Sequence, residues 1–314
     1  MLSAVTAVVD QLRTACAEVA ARAGAVALNT GAIGAYARLF EPVIAARLAA
    51  APDPDAHLVD GTPEELAAFW LTLDAINFGS GWFPTLTKPD GRSGYFTIAT
   101  AVRRRFDEHG PWSANELTEL DARAIAAVTG QDPHHPLMAL FAESLNDLGR
   151  HVAHDLGGRF AGIASTHGDA VALVEELGSW ACFTDRSTYD GIDLPFLKRA
   201  QIAVADLAAV QVIDPPDLDR LTMFADNLVP HVLRLDGVLT YKPEVVRRID
   251  QGELLEHGSP EEVEIRACAV HAVELIAAEL PGVNAAEIDR TLWNRGREPR
   301  YKAVPRHRSR CTAY

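Results

Sequence analysis

Residues 259–276 read "SPEEVEIRACAVHAVELI", and this stretch decides the fold class. Ser259 stands where a helix N-cap belongs, Pro260 suits the first turn, and Glu262 falls three residues after the cap, the spacing of a capping box. Apolar residues then recur at steps of three and four, the period of a helix and not of a strand. Glu262 and Arg266 lie one turn apart and are expected to pair. Glu264 falls on another face, in line with Cys268 and His271, which makes it a candidate buried acid. Such a carboxylate serves a reaction or simply accepts structural hydrogen bonds.

The same signals recur along the chain. "TPEE" (62–65) and "SANE" (113–116) repeat the capping box. Gly24, Gly79, Gly130, Gly157 and Gly178 each follow a periodic segment, as helix ends do. Helices are expected near 2–23, 34–50, 63–78, 96–108, 115–128, 136–156, 168–178, 195–211, 217–228, 230–236, 243–251, 260–279 and 284–295. Extended pieces are expected only near 93–97 and 237–241. With no internal repeat and no low-complexity linker, the expectation is an all-α, single compact multi-helix domain spanning 1–314.

Composition narrows the class. The chain has 314 residues, 48% of them hydrophobic, enough for a sizeable core. Its formal net charge of −14 argues against long DNA or RNA as a partner, because phosphate polymers are held by basic patches. A small anionic ligand needs only a local cluster of cations. No apolar run reaches the roughly 18 residues of a membrane helix. "MLSAVTAVVDQLRTACAEVAARAG" (1–24) lacks a basic leader region and reads as an amphipathic helix, not a signal peptide. Cys16, Cys182, Cys268 and Cys311 form no CxxC pair, which argues against a zinc site or disulfide framework and for a reducing cytoplasm.

Five segments carry candidate chemistry. In "LTMFADNLVPHVL" (221–233) Asp226 sits among apolar residues, where a carboxylate is costly unless something pairs with it. Either it caps the helix leading into Pro230 or a reaction needs it. In "FLKRAQIAVADL" (196–207) Lys198 adjoins small apolar residues. If the two converge, the ammonium keeps the carboxylate ionised; otherwise Lys198 snorkels to the surface. In "LTLDAINFG" (71–79) Asp74, Asn77 and Phe78 share one helix face, equipment for a purine-like base or simply a helix end with a core ring. Loop 79–95 carries Trp82, Phe83 and Tyr95, which stack on a flat ligand or anchor the loop. In "RGREPRYKAVPRHRSRCTAY" (295–314) an Arg/His cluster suits a phosphate, and Tyr301, Val304, Pro305, Cys311 and Tyr314 argue for a docked tail.

Other signals are weak. Glu143, Asp147, His151 and His154 line the wet face of a helix whose other side is apolar, so no metal is expected there. No phosphate-binding glycine loop, GxSxG or HExxH occurs.

Taken in order and spacing, "FLKRAQIAVADL", "LTMFADNLVPHVL", "GELLEHGSPEEVEIRACAVHAVELI" and "VPRHRSRCTAY" resemble blocks of the queuosine salvage protein family. "VALNTGAI" (26–33), "LDAINFG" and "SGYFTIATAVRR" (93–104) resemble its N-terminal blocks. The resemblance covers nearly the whole chain. "VQVIDPPD" (210–217) is shorter than the matching family loop, and "DNLVPH" and "RCTAY" differ around the matched Asp and Arg.

The resemblance implies an all-helical fold reminiscent of the helical DNA glycosylases. It implies hydrolysis of the N-glycosidic bond of queuosine 5′-monophosphate, giving queuine, a 7-deazaguanine base, and ribose 5-phosphate. By it Asp226 is the catalytic carboxylate and Lys198 its neighbour. Asp74, Asn77, Phe78 and Glu264 are then candidates for the base, Arg306, His307 and Arg310 for the phosphate, and Asn29 and Tyr95 for the pocket wall. The expected protein is a cytoplasmic, monomeric N-glycosidase needing no metal or cofactor, with a nucleotide as partner and neither nucleic acid nor membrane. The rivals are a carrier that sequesters queuine or a modified nucleotide, a DNA glycosylase, and a metal-dependent nucleoside hydrolase.

Overall fold

The computed structural model describes residues 6–39 and 53–314. In chain order the elements are α1 (Val8–Arg22), β1 (Val26–Leu28), α2 (Pro63–Ala75), α3 (Gly94–His109), α4 (Ala114–Thr118), α5 (Ala122–Thr129), α6 (Pro136–His154), α7 (Ala170–Ser179), β2 (Ser187–Tyr189), β3 (Ile192–Leu194), α8 (Lys198–Ala209), α9 (Val229–Leu235), β4 (Leu239–Tyr241), α10 (Pro243–Asp250), α11 (Pro260–Ala278), α12 (Ala285–Arg295) and α13 (Pro299–Lys302). The expected helix 34–50 is helical over 33–39 and lies outside the described residues from 40 on. The first residues of the expected helix 2–23 also lie outside them.

The fold is mainly helical, as expected. Among the described residues strands occur only in two antiparallel pairs, β1 with β4 (Val26 opposite Tyr241) and β2 with β3. The β2–β3 hairpin turns on Asp190–Gly191, both at positive φ, which a two-residue hairpin loop requires.

Several boundaries differ from the sequence expectation, each for a local reason. Residues 94–97 open α3 instead of forming a strand, because the Ser93 hydroxyl accepts the Phe96 N–H and caps the helix. The expected helix 115–128 is two helices, since Asp121 accepts the Ala124 N–H and starts a second one. The expected helix 217–228 is a short 3-10 turn at Leu218–Arg220 followed by irregular chain. Thr62 and Ser113 form the expected capping boxes. Ser259 does not: Glu262 accepts the Gly258 N–H instead and turns toward Arg266.

Packing groups the described residues into two compact units, one of residues 6–39, 185–198 and 219–310, the other of 53–184, 199–218 and 311–314. The first is organised by α11, which buries Val263–Val270 without a break and packs against α1, α9, α12, β1 and β2. A helix that is buried all round reads as a core helix, which accounts for its lack of a polar stripe.

In the second unit α2 plays that part, burying every residue from Leu66 to Ala75. There α4 lies against α6 at Gly149, where a Cβ would sit 2.7 Å from the Ala114 carbonyl oxygen. Gly→Ala inside a helix ordinarily gains up to about 1 kcal/mol. Here the close approach reverses the sign, and Gly149→Ala is expected to lower stability by roughly 1–3 kcal/mol in chemical denaturation. A stabilised variant would show that α4 yields easily.

Candidate active site

The stretch around Asp226 gets its shape from three backbone attachments. The Asp289 carboxylate on α12 accepts the Phe224 N–H (3.2 Å). Arg266 Nε on α11 donates to the Ala225 carbonyl (3.0 Å). Asp226 Oδ1 itself accepts the N–H groups of Leu228 (2.8 Å) and Val229 (3.0 Å), capping α9. Asp226 therefore stands ahead of a helix and not within one. The capping alternative read from the sequence holds, and it uses only one oxygen. Among the described residues, none donates a hydrogen bond to Oδ2.

Asp226 keeps some exposure, yet the surrounding protein desolvates its carboxyl and pushes the pKa above the usual carboxylate range. The Lys198 ammonium opposes that push most strongly. The two capping N–H groups and then Arg306 act in the same direction. Lys198 is 5% exposed, so it does not snorkel to solvent. It opens α8 and lies in the same unit as Asp226.

The sequence reading missed Asp289. It is buried, and its carboxyl is pushed well above the ordinary range, by desolvation first and by the Asp226 charge second. Two neighbouring carboxyls do not both ionise readily, and Asp289, pushed up the further of the two, is the one that keeps its proton to higher pH. A signal was present: Ala285, Ile288, Asp289 and Leu292 form the buried stripe of α12, so an acid sits in an apolar row.

The 303–310 segment is docked. Asn227 Nδ2 donates to the His307 carbonyl (3.1 Å), Arg234 to the Pro305 carbonyl (3.1 Å), and the Leu255 N–H to the Arg308 carbonyl (2.9 Å). This brings Arg306 within electrostatic reach of Asp226. Its Nε is buried and meets no hydrogen-bond acceptor among the described residues. Burial lowers its pKa, and the Asp226 charge partly restores it. His307 is fully buried and its pKa falls to about 3, so at neutral pH it offers a phosphate no charge. Arg310 is exposed.

Glu264 is occupied otherwise. Oε2 accepts the Ala25 and Val26 N–H groups (2.6 and 3.0 Å), and Oε1 accepts the Tyr189 hydroxyl (2.9 Å). It is the buried acid expected, with its lone pairs spent on tying β1 and β2 to α11. Asn29 is exposed at the end of β1, where Nδ2 donates to the Gly237 carbonyl (3.3 Å).

The second unit holds the remaining candidates. Asp74 is buried on α2, and Asn77 Nδ2 donates to its Oδ1 (3.5 Å). Phe78 is buried edge-on against Phe141 (5.1 Å), with the Arg199 guanidinium over its face (4.9 Å). Tyr95 lies in the first turn of α3, its hydroxyl 2.9 Å from His57 Nε2. Trp82 is buried and Phe83 packs on Gly94, so these rings anchor loop 79–95.

Fold and site define a mainly helical protein whose charged centre is a half-used carboxylate attended by a lysine and an arginine. The chain belongs to the queuosine salvage protein family, whose model matches residues 57–314. It is 33% identical to the queuosine 5′-phosphate N-glycosylase/hydrolase of Sphaerobacter thermophilus, over 96% of this chain and 97% of that one. It is 30% identical to the protein of that name from Mus musculus, over 80% and 83% of the two chains. The Schizosaccharomyces pombe protein of that name is also 30% identical, over 74% and 71%. Among the described residues no helix is long and apolar enough to cross a membrane.

Asp289 gives a stability test. The folded state holds a proton that the unfolded chain releases above about pH 4, so the wild type loses stability as pH rises through that range. Asp289→Asn keeps an acceptor for the Phe224 N–H and cannot ionise. It is expected to match the wild type in acid and to be at least as stable at pH 7. Asp289→Ala strands that N–H and costs about 1–3 kcal/mol. Denaturation curves at pH 4 and 7 decide; an Asn variant weaker at pH 7 contradicts the protonated assignment.

Proposed function

We propose that this chain hydrolyses the N-glycosidic bond of queuosine 5′-monophosphate, releasing queuine and ribose 5-phosphate. The activity for which the relatives are named supports the reading, and the observation that carries it is the half-used Asp226 carboxylate. As the bond breaks, its electron pair leaves with the base and positive charge grows on the sugar. A fixed anion lowers that barrier. Oδ1 is pinned by two backbone N–H groups, which leaves Oδ2 for the sugar and the attacking water. Oδ2 then takes a proton from the attacking water, whose oxygen bonds to the anomeric carbon. The proton passes on to the leaving base.

Lys198 keeps Asp226 ionised. Arg306 is our candidate for the 5′-phosphate, its buried Nε suiting an oxyanion. Arg310 is a weaker second, and His307 serves as a neutral wall. Asp74 and Asn77 are our candidates for reading the donors on the base edge, with Phe78 as an apolar wall. Glu264 drops from that set because its oxygens are occupied. Asn29 and Tyr95 stay as wall candidates. We propose further that the protein is a monomer needing no metal, that it is cytoplasmic, which the four free, buried cysteines favour, and that it acts on a free nucleotide, which the charge of −14 favours over a nucleic acid.

The test is incubation with queuosine 5′-monophosphate, EDTA present throughout, and mass spectrometry for queuine. The wild type is expected to release it. Asp226→Asn is expected to lose at least about 100-fold in kcat while still binding the nucleotide. A wild type that binds without cleaving makes the protein a carrier. The kcat profile should fall on the acid side with a midpoint above the ordinary carboxylate value of about 4, and higher still in Lys198→Met, because the lysine holds the Asp226 pKa down.

Arg306→Ala separates the phosphate role. KM for the monophosphate should rise about 10-fold or more, with hydrolysis of the free nucleoside unchanged. An equal loss on both substrates removes Arg306 from the phosphate site.

A further inference from the structure

We infer that Asp185 and Arg266 are positioning residues that fix Lys198 and Asp226 relative to each other. This rests on the reading that those two residues act on the substrate.

The pair is wholly buried, with Arg266 Nη2 2.6 Å from Asp185 Oδ2. Each partner also grips one of the two candidate segments. Asp185 Oδ2 accepts the Lys198 N–H (3.1 Å), and the Asp185 carbonyl accepts the Leu197 N–H (3.0 Å). Arg266 Nε donates to the carbonyl of Ala225, the residue before Asp226 (3.0 Å). The Arg266 guanidinium also covers the face of Phe196 (3.9 Å), two residues before Lys198. One ion pair therefore holds the backbone on both sides of the site.

The backbone at Leu197 points the same way. Its φ is +45°, a left-handed conformation that a leucine rarely adopts. Such a residue persists only where its surroundings over-determine it, and these outliers gather at functional sites. Here both N–H groups around the distortion end on Asp185, and the distortion sets the direction in which Lys198 leaves the chain. Glu262 stands 3.6 Å from Nη1 of Arg266 and steadies the guanidinium from behind.

Stability alone does not account for the arrangement. A buried ion pair is often no more stabilising than apolar side chains of the same volume. What this pair adds is geometry, since a planar guanidinium reaches a carboxylate and a carbonyl together. A lysine ammonium gathers its three donors on one flexible nitrogen and lacks that fixed, spaced fork.

The experiment measures kcat and KM for queuosine 5′-monophosphate in Arg266→Lys and Asp185→Asn, each alone and combined with Asp226→Asn, with Tm as a folding control. Positioning predicts a fall in kcat on the order of 100-fold with KM within about three-fold. It also predicts that the same substitutions cost less than about three-fold once Asp226 is already Asn, because nothing remains to be aimed. Equal factors in both backgrounds mean general damage and overturn the inference. Unchanged kcat in the single variants, with Asp226→Asn inactive, overturns it while leaving the catalytic reading intact. Full turnover by Asp226→Asn sinks that reading, and this inference with it. If Arg266→Lys does not fold, Asp185→Asn, which preserves shape and an acceptor for the Lys198 N–H, carries the comparison.

Discussion

Two opposite charges removed entirely from water must satisfy one another, and Asp185 and Arg266 do so at 2.6 Å. Much of the first unit is arranged around that requirement. The partners come from segments 81 residues apart, so the pair can exist only when the chain just before β2 and the middle of α11 are both in place. Asp185 Oδ2 also accepts the Lys198 N–H, Arg266 Nε donates to the Ala225 carbonyl, and the Asp185 backbone carbonyl takes the Leu197 N–H. The packing of α11 against α1, α9 and α12 supplies the apolar surroundings that make an unpaired charge there costly.

Around this pair the carboxyls have divided duties. At Asp226 the Lys198 and Arg306 charges favour the ionised form; at Asp289 burial and the Asp226 charge favour the protonated one. Glu264, equally buried, is saturated by two backbone N–H groups and a tyrosine hydroxyl. The same functional group is thus a helix cap with one open oxygen, a backbone tether whose charge is disfavoured and a structural acceptor, within one unit. Environment makes the difference, not residue type.

Much of this was legible in the sequence. Period and capping residues located α2, α6, α9, α10, α11 and α12 to within a few residues, and the Glu262–Arg266 pair follows from spacing. Burial of Lys198 and its electrostatic influence on Asp226 are in keeping with the convergence that the sequence leaves open. What stayed hidden is of two kinds. Competing local hydrogen bonds moved boundaries: Glu262 bonds Gly258 and leaves Ser259 uncapped, and apolar spacing before Asp226 mimics a helix the backbone does not form. The Asp190–Gly191 hairpin was the plainest overlooked signal, since Asp-Gly is a favoured two-residue turn. The other kind is non-local. Nothing near Asp185 announces Arg266, and the charge of His307 is removed by burial that only the folded chain provides.

The docking of 303–310 has a consequence for how the site comes into being. Asn227 finds the His307 carbonyl across 80 residues of chain, about the span that separates Asp185 from Arg266. By contrast Asn146 on α6 reaches the Leu117 and Leu120 carbonyls across fewer than 30. Closing a long loop costs chain entropy before any contact offsets it, so local helix pairs form early and distant attachments late. The surroundings of Asp226 therefore rest on attachments that can close only after long stretches of chain have been gathered in, unlike the local helix pairs of the second unit.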